Sequence, residues 1–164
     1  MNKSSLLSPQ LQQDIENWTK KYPPERRQSA LLPALSLAQE SNQGWLSQDL
    51  IDAVADFLNV ARVTAYEVVS FYSLYERAPI GQHKISVCTN ISCMLRGCDA
   101  SVRRLKERLQ IDFNQTTADG KFTLKEVECL GACVNAPVLQ IGKRYYEEMT
   151  PERIDELLDS LNGQ

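Results

Sequence analysis

Residues 83–93 read HKISVCTNISC, and residues 122–133 read FTLKEVECLGAC. Each stretch opens with alternating polar and apolar side chains, which is typical of a half-buried β-strand. Cys88 and Cys129 are each predicted to end their strand, and Cys93 and Cys133 follow in the loops after them. Neighbouring strands of a sheet lie about 5 Å apart. If the two strands are neighbours, the sequence predicts a sheet with four thiols at one end.

The rest of the second half adds helices and a hairpin to this sheet. Apolar spacing predicts a helix from about residue 99 to 110. Val138–Ile141 and Arg144–Tyr146 flank the two-residue turn Gly142-Lys143, which predicts a β-hairpin. Thr150-Pro151 has the form of a helix start. The second half is therefore predicted to be an α/β layer arrangement on a sheet of about four strands.

The first half has the pattern of short amphipathic helices. Ser8-Pro9 and Ser47 are typical helix starts, and apolar residues then recur at helical spacing. A second helix is predicted from about residue 25 to 43, with a kink or a later start because of Pro33. A fourth is predicted at about residues 64–74. We expect an α+β chain with a small helical bundle, residues 1–78, followed by the α/β domain, residues 79–164.

Composition and charge exclude several classes of function. The net charge is −3, and no cluster of Lys and Arg could neutralise a nucleic-acid backbone. No apolar run is long enough to cross a bilayer, and Met1 to Gln13 lacks the pattern of a signal peptide. The sequence therefore predicts a cytoplasmic protein with no nucleic-acid partner and no direct insertion into a membrane.

All five cysteines lie between Cys88 and Cys133, and their chemistry has several interpretations. Four thiolates in two pairs suit a [2Fe-2S] cluster with two cysteines per iron. Structural zinc takes similar spacings, and a zinc-stabilised interaction module stays open on spacing alone. Disulfides are disfavoured in a reducing compartment. The fifth cysteine, Cys98, is predicted to be a free thiol beside the site.

Beyond spacing, the motifs resemble a known family. Residues 87–97, VCTNISCMLRG, are similar to the first ligand motif of the E subunit of respiratory NADH:quinone oxidoreductase (complex I). Residues 128–133, ECLGAC, followed by Ala136-Pro137, resemble its second. Similar segments in the helical half are Leu32–Leu35, Gln43–Leu46 and Phe71-Tyr72. The resemblance thus covers nearly the whole chain.

This resemblance implies a fold, a cofactor and partners. The second domain would be thioredoxin-like, and Cys88, Cys93, Cys129 and Cys133 would hold one [2Fe-2S] cluster that exchanges single electrons with FMN. FMN and NADH would bind a partner, the F subunit, and a larger iron–sulfur G subunit would be a second partner. The chain would be part of an enzyme without a substrate site of its own. Its place would be peripheral to the cytoplasmic side of the inner membrane, through the complex.

The host complex and the roles of a few other residues are not decided by these motifs. Equivalent subunits occur in NAD-linked hydrogenases and formate dehydrogenases, so the host complex is open. Phe71-Tyr72 and Tyr75 form either a docking face or part of the core. His83 is the only histidine and precedes Cys88 by five residues, on the wrong side for a ligand. Pro137 stands where thioredoxin-like folds often carry a cis proline.

Overall fold

The computed structural model describes residues 6–163, which divide into two compact units. The first ends at Pro79 and the second begins at Ile80. Residues 1–5 and Gln164, at the ends of the predicted domains, lie outside the described residues. No helix within residues 6–163 is both long and apolar enough to cross a membrane.

The first unit is built from short helices. Its elements are α1 (Pro9–Thr19), a 3-10 helix (Pro24–Ala30), α2 (Leu31–Ser41), α3 (Gln48–Leu58) and α4 (Arg62–Phe71). The predicted caps are confirmed: Ser8 Oγ accepts from Leu11 N–H at 3.1 Å, and Ser47 Oγ accepts from Leu50 N–H at 3.2 Å. These bonds satisfy backbone donors that the first turn of each helix leaves free.

Helix α2 starts later than the predicted residue 25. It begins at Leu31, so Pro33 is its third residue. A proline is tolerated in the first turn, where its missing N–H would have no helical partner. The chain before Leu31 forms the 3-10 helix instead. The later start that Pro33 suggested is therefore confirmed.

The core of the first unit collects the apolar stripes of all its helices. Its largest completely enclosed side chains are Ile15, Leu35, Leu46, Ile51, Val54 and Leu58. Tyr75 also belongs to this core, since its ring is buried and its hydroxyl donates to the Leu32 carbonyl oxygen at 2.8 Å. Phe71, by contrast, is 80% exposed. The docking interpretation is therefore wrong for Tyr75, while Phe71 stays available at the surface.

The second unit alternates strands and helices. Its elements are β1 (His83–Cys88), α5 (Ile91–Leu95), α6 (Cys98–Leu109), β2 (Gln115–Thr116), β3 (Phe122–Val127), a 3-10 helix (Cys133–Asn135), β4 (Leu139–Ile141), β5 (Arg144–Tyr146) and α7 (Pro151–Asn162). The predicted hairpin of β4 and β5 is confirmed. So is the start of α7, where Thr150 Oγ1 accepts from Arg153 N–H.

The sheet has five strands in the order β2-β3-β1-β4-β5. The central strands β1 and β3 are parallel, and the other neighbouring pairs are antiparallel. The sequence predicted about four strands and missed β2, because two residues are too short to show an alternating pattern. The predicted mixture of a helical bundle and an α/β unit is otherwise confirmed.

Helices α6 and α7 pack against this sheet. Leu105 of α6 and Ile154 and Leu158 of α7 join one core with Ile85 and Leu124 of the central strands. The two helices are also linked by side-chain ion pairs, because Asp155 of α7 accepts hydrogen bonds from Arg104 and Arg108 of α6. The apolar contacts hold both helices on the sheet, and the ion pairs hold the helices to each other.

Candidate metal centre

The two cysteine loops leave the same end of the sheet. Strands β1 and β3 are parallel neighbours, and Cys88, the last residue of β1, lies opposite Val127, the last residue of β3. Cys129 was expected to end its strand but lies two residues beyond it. Parallel strands have their carboxyl ends at one edge, so the predicted meeting of the two loops is confirmed.

The first loop folds into a short helix around its second cysteine. Asn90 Oδ1 accepts from the Ile91 N–H at 2.7 Å and so caps α5. Cys93 is the central residue of this helix, and its side chain is buried, as is that of Cys88. The sequence predicts a loop at residues 89–92, because a single helical turn shows no periodicity.

The second loop holds its cysteines at the surface. Gly131 has a φ of +72°, a left-handed conformation that glycine adopts without strain. This turn directs the Gly131 N–H to Cys129 Sγ at 3.3 Å. Cys133 then begins a 3-10 helix, and both Cys129 and Cys133 are exposed. The Ala136–Pro137 peptide that follows is cis, as its position suggested.

The two loops touch each other directly. The Cys88 thiol donates to the Glu128 carbonyl oxygen at 3.8 Å. Cys88 N–H also donates to the Val138 carbonyl oxygen at 3.1 Å, so the second loop returns to the end of β1. All five cysteines are free thiols.

The inner thiols form a small buried cluster. Cys88, Cys93 and Cys98 pack with Ala136, and Leu130 covers them in part. Within residues 6–163, however, no three side chains of His, Cys, Asp or Glu are arranged to hold a metal ion. The structure thus brings the four predicted ligands to one end of the sheet, with one pair inside and one pair outside.

Burial controls the protonation of the inner thiols. Burial, together with a hydrogen bond to the Cys88 thiol, raises the pKa of Cys93 to about 11. Burial also raises the pKa of Cys98, with added repulsion from the carboxylates of Asp99 and Glu126. Iron binds the thiolate form, so metal ligation at Cys93 requires loss of a proton.

The remaining sequence-selected residues lie apart from this pair of loops. Cys98 is the first residue of α6, and its thiol contacts the Asp99 carboxylate at 4.0 Å. His83 begins β1 at the opposite end from Cys88 and packs its ring on Phe122. Among the described residues, nothing hydrogen-bonds its buried Nε2, and burial lowers its pKa.

Exposed apolar side chains stand in the cysteine loops and were not predicted as part of the site. Ile91, Met94 and Leu95 of α5 are all exposed, Leu95 by 79%, and Val134 beside Cys133 is 88% exposed. The available signal was the placing of apolar residues among the cysteines, outside any core periodicity. We call Ile91, Met94, Leu95 and Val134 the apolar rim.

The donor set fits a two-iron cluster. Thiolates are soft ligands suited to iron–sulfur chemistry, and two loops with two cysteines each supply the four that such a cluster takes. Zinc accepts the same donors, so the choice between them comes from similarity to known proteins.

Residues 15–162 match the family model of thioredoxin-like [2Fe-2S] ferredoxins. The E subunit of the NADH-quinone oxidoreductase of Rickettsia bellii is 49% identical over 148 residues, which are 90% of this chain and 89% of that protein. The mitochondrial NADH dehydrogenase (ubiquinone) flavoprotein 2 of Dictyostelium discoideum is 48% identical over 149 residues, 91% of this chain and 60% of that protein.

Solved structures agree on the fold. A crystal structure of an NAD+-reducing [NiFe]-hydrogenase superposes with a TM-score of 0.67 and 21% identity, over 79% of this chain and 23% of that chain. The family match spans both the helical unit and the two cysteine loops. The chain therefore belongs to the thioredoxin-like [2Fe-2S] ferredoxin family, and its cofactor is one [2Fe-2S] cluster.

Proposed function

We propose that this chain is the electron-transfer subunit of an NADH-oxidising, quinone-reducing complex, and that its cluster is held by Cys88, Cys93, Cys129 and Cys133. The observation that carries the ligand assignment is the placing of two thiol pairs on loops at one end of the parallel strands β1 and β3. The host complex is supported by the names of the relatives, which are E subunits of NADH-quinone oxidoreductases.

The chain's own residues bind and insulate the cofactor. Cys88 and Cys93 would supply one pair of ligands from inside, and Cys129 and Cys133 the other pair from the surface. The Gly131 N–H, which already points at Cys129 Sγ, would offset negative charge on that sulfur. When bound, the cluster supplies one-electron transfer.

Four thiolates leave an all-cysteine cluster without an open position for a substrate. NADH oxidation therefore belongs to another chain, which we take to be a flavin- and NADH-binding F subunit. A larger iron–sulfur G subunit would be a further neighbour.

The exposure of the ligands indicates where a redox partner can approach the cluster. Cys129 and Cys133 lie at the surface, whereas Cys88 and Cys93 are buried. A redox partner that approaches the outer pair comes closest to the cluster, and electron transfer is fastest over the shortest distance. We therefore place the flavin-bearing partner over the loop of residues 129–133.

The apolar rim supplies a surface for that partner. Several apolar side chains as exposed as Leu95 and Val134 rarely stand together on a protein surface unless that surface binds a partner. Burying them under a partner would remove apolar surface from water at about 25 cal/mol per Å². It would also exclude water from the cluster. On this proposal the chain is held at the cytoplasmic side of the inner membrane by its partners.

A list of co-purifying subunits tests the host complex. An affinity tag on this chain, with mild detergent extraction from the native cells, should recover a flavin subunit together with a quinone-reducing membrane arm. Recovery of a hydrogenase or formate-oxidising subunit in place of the membrane arm would contradict the proposed host. It would favour the alternative complexes instead.

A further inference from the structure

A hydrogen bond between two side chains joins the first cysteine loop to the strand that carries the second. Thr89 follows Cys88 directly, and its hydroxyl donates to Glu126 Oε1 at 2.8 Å. The Thr89 N–H donates to the Val127 carbonyl oxygen at 3.3 Å. Thr89 is therefore fixed to β3 by both its backbone and its side chain, one residue beyond the end of β1.

This attachment controls where the next ligand lies. Asn90 follows Thr89 and caps α5, and Cys93 is the central residue of that helix. A shift of Thr89 along β3 would move the cap, the helix and the Cys93 sulfur together. The bond between Thr89 and Glu126 thus ties the first ligand loop to the strand that leads to the second, although neither residue is a predicted ligand.

The same bond holds a carboxylate beside the first ligand loop. Glu126 precedes Cys129 by three residues and lies opposite Val87, the residue before Cys88. The bond ties its carboxylate to the residue that directly follows Cys88. A fixed negative charge disfavours the addition of an electron to a neighbouring site.

We propose that Thr89 and Glu126 are positioning residues for the cluster: their hydrogen bond holds the first ligand loop in register with the second and fixes a carboxylate that lowers the reduction potential. This inference rests on the proposed four-cysteine assignment. It assigns no ligand and no substrate contact to either residue.

Two substitutions separate the charge from its attachment. Glu126→Gln keeps an acceptor oxygen for Thr89 and removes the charge. Thr89→Val keeps the branched shape and removes the donor. Glu156→Gln is the matched control, because it removes one negative charge from exposed surface of α7, outside both cysteine loops.

The measurement is an EPR-monitored redox titration of the purified protein with its cluster, with iron and sulfide counted in the same samples. Glu126→Gln should raise the midpoint potential and change the equilibrium constant for reduction about threefold or more, or about 30 mV at 59 mV per tenfold. Salt at about 1 M should shrink that shift, since it screens exposed charges beyond about 3 Å. Glu156→Gln should leave the midpoint unchanged.

The combined variant tests the attachment. Thr89→Val should raise the midpoint by less than Glu126→Gln does, because the charge remains but is no longer fixed. In the Thr89→Val background, Glu126→Gln should then have a smaller effect than in the wild type. Independent, additive effects would overturn the positioning role.

The outcomes also separate this inference from the function beneath it. An unchanged midpoint in Glu126→Gln, with the wild-type cluster present at two irons per chain, would overturn the inference alone. A wild-type protein without a cluster would overturn the four-cysteine assignment itself. A shift equal to that of Glu156→Gln would mean that net charge, rather than this hydrogen bond, sets the potential, and would overturn the inference as well.

Discussion

The Cys88 thiol lies 3.8 Å from the carbonyl oxygen of Glu128 and donates a hydrogen bond to it. This contact joins a residue at the end of β1 to the residue that precedes Cys129. It shows that the two cysteine loops meet across neighbouring parallel strands. The site is therefore assembled by sheet pairing, and its properties depend on the parts of the second unit that hold β1 beside β3.

Cys98→Ser should leave the cluster intact. Cys98 is enclosed next to Cys88 and Cys93, but it lies at the start of α6, outside both ligand loops. Serine is nearly the same size, so packing should persist. We expect iron content and the visible and reduced-state EPR spectra to match those of the wild type. Loss of the cluster would mean that Cys98 is a ligand.

Leu95→Ser should weaken binding of the partner without harming the chain itself. Leu95 is 79% exposed, so its truncation should change the free energy of unfolding by no more than about 0.5 kcal/mol. If the apolar rim is the docking surface, the dissociation constant of the flavin subunit should rise about tenfold, or about 1.4 kcal/mol. Titration calorimetry of the two subunits measures this.

Val63→Ser is the matched control for Leu95→Ser. Val63 is also an exposed apolar residue, at 62%, but it lies on α4 of the first unit. Its substitution should leave the affinity unchanged. Equal affinity for wild type and Leu95→Ser would remove the rim from the interface.

Gly81→Ala should destabilise the second unit. An added Cβ would lie 2.9 Å from the Phe122 carbonyl carbon and 3.0 Å from the Gly120 oxygen, both backbone atoms that cannot rotate away. Overpacking of this kind lowers the free energy of unfolding by about 1–3 kcal/mol. Each kcal/mol lowers Tm by about 4–8 °C in a domain of this size. Scanning calorimetry should show the loss.

Gly163→Ala is the comparison for that measurement. Its Cβ would meet no atom closer than the Asp159 oxygen at 3.8 Å. The melting temperature of Gly163→Ala should equal that of the wild type within error. Equal melting of Gly81→Ala and the wild type would show that the backbone around Gly81 yields to the added methyl group.

Asp155 should make stability depend on acid pH. Hydrogen bonds from Arg104, and then from Arg108, lower the pKa of this carboxyl group below its ordinary value. A group whose pKa is lower in the folded state stabilises the fold above its unfolded pKa, about 4. That contribution is lost as the pH falls through the folded value.

Asp155→Asn therefore tests the ion network between α6 and α7. Urea unfolding should show the variant less stable than the wild type at pH 7. The difference should shrink as the pH falls below about 4, where the unfolded and then the folded carboxyl group of the wild type take up protons. A difference that is constant across this range would assign the effect to packing rather than to charge.

Local signals in the sequence predicted much of the fold. Ser8, Ser47 and Thr150 accept backbone hydrogen bonds at helix starts, as their chemistry requires. Strand β1 has the predicted bounds and β3 starts at the predicted residue, because each is long enough to alternate between sheet faces. That they are parallel neighbours could not be predicted, because a single sequence does not show which strands pair.

Other features depend on contacts between distant residues, which a single sequence does not show. Strand β2 exists because Gln115 and Thr116 pair with Leu124 and Thr123 of β3. Cys93 is buried because its loop packs with Cys88, Cys98 and Ala136, whereas Cys133 is exposed. Tyr75 belongs to the core because its hydroxyl donates to the carbonyl oxygen of Leu32, 43 residues away in sequence.

The central claim, a [2Fe-2S] cluster on four named cysteines, is tested most directly by counting iron and acid-labile sulfide per chain in the wild type and in four single variants. The wild type should contain two of each, and Cys88→Ser, Cys93→Ser, Cys129→Ser and Cys133→Ser should each lose or alter the cluster and its EPR signal. One zinc per chain without sulfide, or a wild-type spectrum in any of the four variants, would contradict the account.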